Sequence, residues 1–283
     1  MLQFITLIIS CAKKGRNVLR ERKMTLTIAI CLLIPLLGTT LGSCTVFFLK
    51  KEINANVQKV LMGFASGVML AASIWSLLQP AINTYEKGDV KMWLVPAVGF
   101  IIGIVFSLLL DYLIPHTHLT TGEDGIKTPK ISKTSKMLFA VTLHNIPEGL
   151  AVGFAFGAAA VFGTAEAYIT ALGLAIGIAI QNFPEGAAVS LPLKATTGKT
   201  GKSFLFGALS GAIEPVAAVI GYYLASALTV IQPWLLSFAA GAMIFVVAED
   251  LIPDAKNEKK AHVGTWGVML GFVIMMALDV ALG

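Results

Sequence analysis

The sequence predicts an all-α membrane protein: eight transmembrane helices in a 3+2+3 inverted-repeat bundle, with both termini outside. Three observations predict it. The 283 residues are 56% hydrophobic and only 13% charged, with a mean hydropathy of +0.81, which is too apolar for a soluble domain. Apolar windows of about 20 residues, enough to cross the hydrocarbon core, recur along the chain. Two consecutive windows carry one phrase, as His144-Asn145-Ile146-Pro147-Glu148-Gly149 and Gln181-Asn182-Phe183-Pro184-Glu185-Gly186.

The windows fall at 25–49, 58–82, 92–115, 137–161, 167–193, 203–226, 233–253 and 263–282. Basic residues punctuate and orient them. The link after the first window holds Lys50, Lys51 and Lys59, and the link after the third Lys127, Lys130, Lys133 and Lys136. The link after the fifth holds Lys194, Lys199 and Lys202, and the link after the seventh Lys256, Lys259 and Lys260. The links after the second, fourth and sixth hold only Lys87 and Lys91. The lysine-rich links are therefore expected in the cytoplasm, which leaves both termini outside.

Residues 1–24 form a basic N-terminal extension that breaks this pattern. Lys13, Lys14, Arg16, Arg20, Arg22 and Lys23 ought to stay in the cytoplasm. The apolar run 2–10 before them is too short to span and lacks the basic n-region of a signal peptide. A functional start at Met24 would remove the conflict. The other reading is a basic tail held inside by a first helix of unusual topology. Residues 25–283 then make the eight-helix domain. The net charge of +5 suits anionic lipid headgroups, and nothing suggests nucleic acid. Cys11, Cys31 and Cys44 have no metal-ribbon spacing and read as helix-packing residues.

The one long connection, 116–136, reads as a mobile cytoplasmic loop. The phrase-bearing fourth and fifth windows cross in opposite directions. Phe64-Ala65-Ser66-Gly67-Val68-Met69 in the second window is echoed by Phe238-Ala239-Ala240-Gly241-Ala242-Met243 in the seventh, again oppositely oriented. Helices 1–3 and 6–8 thus read as matching halves around a central pair, a transporter feature with its site near midplane. Glycines four apart (Gly149, Gly153, Gly157; Gly173, Gly177; Gly207, Gly211) let helix backbones approach closely in lipid.

The phrases carry the chemistry. A carboxylate at mid-bilayer costs about 2.5–3.5 kcal/mol on insertion scales, so it is usually paired or functional. Yet no Lys or Arg lies in the windows holding Glu148, Glu185 and Glu214. The missing positive charge is a proton or a metal ion. On a helix, His144 and Glu148 share a face, with Asn145 beside them; Gln181, Asn182 and Glu185 repeat the arrangement. Facing helices could build one site from His144, Gln181 and both glutamates. A second would use Asn145, Asn182 and Glu214, bridged by the same glutamates. Pro147, Pro184 and Pro215 free the carbonyls of Leu143, Ile180 and Gly211 and kink their helices. Imidazole, carboxylate and amide together suit Zn²⁺, Fe²⁺ or Mn²⁺. Met69, taken alone, reads as a core filler.

The paired phrases resemble the ZIP (Zrt/Irt-like protein) family of divalent metal transporters, and the short chain and compact loop are similar to its GufA-like branch. The resemblance covers about residue 25 to the end. It implies a primary metal site of Met69, His144, Glu148, Gln181 and Glu185, and an adjacent one of Asn145, Asn182 and Glu214 bridged by the two glutamates. The neutral Asn182, where some relatives have aspartate, makes the second site less anionic. It further implies metal-exit roles for Asp111, His116, His118, Glu249 and Asp250, an entrance role for Asp279, and a homodimer in the cell membrane. His262 reads as a solvent-exposed residue of the last inner link.

Three functions follow. The first is a secondary transporter taking divalent metal, Zn²⁺ foremost with Cd²⁺, Fe²⁺ or Mn²⁺ as alternatives, into the cytoplasm by alternating access. It needs no catalytic cofactor, and no phosphate-binding GxxxxGK[ST] loop is present. The second is an intramembrane zinc hydrolase, which would need a permanently held metal with an open water position. The chain offers one His where the zinc-protease HExxH has two. A carrier of organic ions would leave His144 and the amides idle.

Overall fold

The structure, a computed structural model, describes residues 26–49, 54–113, 116–118, 122–124, 133–256 and 261–282. The N-terminal extension, Met24 and Cys11 lie outside the described residues. Among those described, eight helices are long and apolar enough to cross a membrane. They are α1 (Leu26–Phe48), α2 (Ala55–Asn83), α3 (Lys91–Leu113), α6 (Thr200–Ala227) and α7 (Gln232–Lys256), with α4 (Lys133–Phe162), α5 (Ala165–Thr197) and α8 (Ala261–Leu282). The protein is a multi-pass membrane protein, and each helix overlies one apolar window.

The ends differ where caps and charges extend a helix beyond its apolar stretch. Asn54 caps α2, its Oδ1 accepting from the Asn56 N–H at 2.9 Å. Lys59 therefore sits on α2, buried to 9% exposure, rather than in a link. Thr164 caps α5 by accepting from the Ala167 N–H at 3.2 Å. Gly198, at φ +66°, ends α5 in the left-handed conformation that glycine adopts without strain. Inside the segment read as a loop, β1 (His116–His118) pairs antiparallel with β2 (Gly122–Asp124), His116 opposite Asp124.

Four helices are interrupted, for reasons visible in the residues. α1 breaks at Leu32–Leu33, just before Pro35, whose ring would clash with the carbonyl of Cys31. α6 breaks at Gly211–Ala212, four and three residues before Pro215. There the Gly211 carbonyl, expected to be freed by the proline, accepts instead from the Glu214 N–H at 3.0 Å. α2 and α7 widen into π turns at Ser73–Leu78 and Val247–Leu251. Each lies just before a proline, Pro80 or Pro253, and relieves its clash with the preceding turn. Ser73 and Val247 are each nine residues beyond the phenylalanine of the echoed phrase, Phe64 or Phe238. α4 and α5 run unbroken through Pro147 and Pro184.

The most extensive interfaces pair α1 with α5, α2 with α8, α3 with α7 and α4 with α6. Glycines line all four. A Cβ at Gly153 of α4 would come within 2.2 Å of the Ala218 carbonyl oxygen of α6, and one at Gly38 of α1 within 2.1 Å of the Ala179 oxygen of α5. Such contact is the main attraction available to helices in lipid. In α4, 72% of the spanning window is buried, against 28% in α3 and α8. The phrase-bearing α4 is thus interior, while α3 and α8 face outward.

Candidate metal site

The glutamates of α4, α5 and α6 meet in the bundle interior. Glu148 and Glu214 are buried to 1% and 0% exposure, and Glu185 is close enough to feel the charge of both. Gln181 and Asn182 are fully enclosed beside them. The Gln181 amide donates to Asn182 Oδ1. Asn182 Nδ2 also donates to Glu214 Oε2 at 2.9 Å and to the Pro35 carbonyl at 3.4 Å. From α1, Thr39 Oγ1 donates to Glu214 Oε1 at 3.0 Å. The breaks in α1 and α6 supply part of this geometry. Asn145 Nδ2 bonds the Ser210 carbonyl at 3.1 Å, beside the α6 break.

Three buried oxygens in this region have no hydrogen-bond partner: Asn145 Oδ1, Glu148 Oε2 and Glu185 Oε1. Unsatisfied polar atoms in an apolar interior are costly. A hard or borderline cation is the group that oxygens of this kind satisfy. Among the described residues no three His, Cys, Asp or Glu side chains converge at metal-binding geometry. Much of the expected set consists of amides, and one member is directed elsewhere.

That member is His144. Its Nε2 lies 3.0 Å from Asp250 Oδ2 on α7, so the imidazole, which shares a helix face with Glu148, is held by an aspartate from another helix. His144 and Asp250 line a small cavity with Ser107 and Asp111 of α3. This brings three of the residues assigned by resemblance into one place. Glu249, by contrast, is exposed, and His262 is exposed at the start of α8. The side chains of His116 and His118 lie outside the described residues. Met69 is fully buried on α2, within the main apolar core.

At the other end of the bundle a cavity of about 540 Å³ opens between α2, α4, α5, α7 and α8. Its polar lining includes Ser76, Gln79, Asn83, Glu166, Thr170 and Asp279. Asp279 Oδ1 accepts from Ser76 Oγ at 2.7 Å, while its buried Oδ2 has no partner. The cavity reaches Ala155, seven residues along α4 from Glu148, or about 10 Å at the helical rise.

Sequence reasoning missed Thr39, Ser76 and Glu166. Hydroxyls on apolar helices leave no periodic signal, and Glu166 fell at a helix start where an acid is ordinary capping chemistry. Pro35 was a readable sign that the first helix breaks.

A family profile for the ZIP zinc transporters matches residues 133–279. The chain belongs to the ZIP family. Zinc transporter ZIP11 of Homo sapiens is 33% identical, the alignment covering 87% of this chain and 94% of that protein. Zinc transporter ZIPB of Bordetella bronchiseptica is 37% identical over 87% of this chain and 78% of its own. Zinc transporter GufA of Myxococcus xanthus is 32% identical over 87% and 95%. As a ZIP protein the chain is a membrane transporter of divalent metal and not an enzyme, which removes the hydrolase.

Proposed function

We propose that this ZIP protein carries Zn²⁺ foremost, and other divalent transition metals secondarily, into the cytoplasm by alternating access. The observation that carries the reading is a pair of carboxylates on adjacent helices, buried Glu148 and half-buried Glu185, each with an enclosed oxygen that has no partner. No Lys or Arg lies in the apolar stretches that hold them. Zinc transport, which the names of the relatives carry, agrees with this ligand set.

The route runs from the Asp279 cavity to the glutamates and out past His144, Asp250 and Asp111. Asp279 and Glu166 give the cavity negative charge, which raises the local cation concentration. His144 holds the opposite end of the path through its bond to Asp250, and a metal arriving at Glu148 competes for the imidazole. Lysine distribution puts the His144–Asp250 end in the cytoplasm, with both termini outside.

The pairing of α1 with α5 and α4 with α6, and of α2 with α8 and α7 with α3, supports the inverted repeat. An exchange of helices 1 and 6, 2 and 7, 3 and 8, and 4 and 5 maps these interfaces onto one another. The π turns at equal offsets in α2 and α7 support it too. In that frame the phrase-bearing α4 and α5, packed on α6 and α1, move against α2, α3, α7 and α8. Resemblance to the family adds Met69, His144 and Gln181 as further ligands, and a homodimeric state.

The test is ⁶⁵Zn uptake into proteoliposomes, wild type against Glu185→Ala, with Mn²⁺, Fe²⁺, Cd²⁺ and Mg²⁺ as competitors. Saturable uptake abolished by the substitution is the expected result, and the competition order ranks the metals. Bound zinc without flux in the wild type would overturn the carrier reading.

A further inference from the structure

The carboxylates of this site are not equivalent, and the difference bears on how many ions the chain carries. Glu214 has both oxygens occupied: Oε1 by Thr39 at 3.0 Å and Oε2 by Asn182 at 2.9 Å. Asn182 has its own oxygen occupied by the Gln181 amide, and its nitrogen, a donor rather than a metal ligand, is spent on Glu214 and Pro35. Glu148 Oε2 and Glu185 Oε1, both buried, have no partner.

The Thr39–Glu214 bond has room only because residue 211 is glycine. A Cβ there would come 2.7 Å from Glu214 Oε1 and 2.8 Å from Thr39 Oγ1. Position 182 matters in the same way. An aspartate could not donate to Glu214 and would leave two carboxylates facing each other, a pair that must share a proton or take up a cation.

We propose that Thr39 and Asn182 hold Glu214 out of metal coordination, so that the transport site takes one divalent ion, between Glu148 and Glu185, rather than two. This rests on the metal-carrier reading above. Thr39 and Asn182 are then positioning residues: they satisfy a buried carboxylate that would otherwise demand its own metal.

Zinc binding to the purified full chain tests this by equilibrium dialysis with ⁶⁵Zn. The intramembrane component is the zinc bound by wild type beyond that bound by a Glu148→Gln/Glu185→Gln double variant. One ion per chain is expected, with Glu214→Gln retaining it at an affinity within about threefold, and Asn182→Asp gaining a second ion. Two ions in the wild type, falling to one in Glu214→Gln, would overturn the proposal. Zinc K-edge X-ray absorption on the wild type needs no variant to fold. A metal–metal shell at about 3.5–4 Å, the usual two-metal spacing, would also overturn it, and its absence supports a single ion. If the double variant bound as much zinc as wild type, the transport-site reading would fall as well. If it lost two ions together, that reading would stand and only the single-ion assignment would fail.

Discussion

His144 illustrates how a residue's role depends on a partner that its own helix does not supply. Helical spacing puts it beside Glu148, yet its Nε2 is 3.0 Å from Asp250 on α7. An aspartate in that position orients the imidazole, and removing such a partner from a metal-binding His commonly costs 10–100-fold, so we expect Asp250→Asn to slow zinc uptake by about 10-fold. Glu249→Gln, one residue away but exposed, is expected to transport at near the wild-type rate; equal losses in both would show that the acidic end acts only as diffuse charge. Protonation belongs to the same scale. Carboxylates and imidazole bind metal only after shedding protons, so acid competes with zinc. Uptake measured from neutral to acidic outside pH is expected to show a rising apparent KM for zinc. A rate that climbed steadily with acidification would point to proton-driven coupling instead.

At the scale of elements, the glycine contacts decide how closely the helices of the site approach one another. The α4–α6 interface brings Glu148 and Glu214 together through contacts such as Gly153 on the Ala218 carbonyl, where a Cβ would sit at 2.2 Å. Backbone cannot yield as a flexible side chain can. Gly153→Leu is therefore expected to destabilise the protein by about 1–3 kcal/mol, read as a lower unfolding temperature in detergent. Gly177→Ala is the contrast. Its new Cβ would meet the thioether of Met275, an adaptable side chain, so a much smaller shift is expected. Four-residue glycine spacing was legible in the sequence, whereas the helix each stripe meets was not, because spacing carries no information about a partner. The breaks in α1 and α6 were half legible: proline marks the disturbance, but only the fold shows that Ser210 and Pro35 carbonyls there bond Asn145 and Asn182.

For the whole molecule, the bundle has a cavity of about 540 Å³ at one end and the closed His144–Asp250 contact at the other. Their assignment to outside and inside rests on lysine distribution and can be measured directly. In a variant lacking the native cysteines, a single cysteine at Gly88 is expected to react with an impermeant maleimide on intact cells. One at Lys199 is expected to react only after permeabilisation. The reverse pattern would invert the topology and with it the direction of transport.

Eight helices, their approximate ends and the residues bearing the chemistry were determined by the sequence alone, because bilayer thickness sets a fixed apolar length and a carboxylate without a counter-charge cannot be hidden in lipid unless it has work there. The repeated phrase named the candidate site residues, and the echo between the second and seventh helices is the sequence's own argument for a symmetric arrangement. Which oxygen is satisfied and which is left open was decided only by the tertiary structure. Thr39, Gly211, Asn182 and Glu214 come from three separate helices, and hydrogen bonds between them depend on distances of a few tenths of an ångström that residue spacing along the chain does not specify.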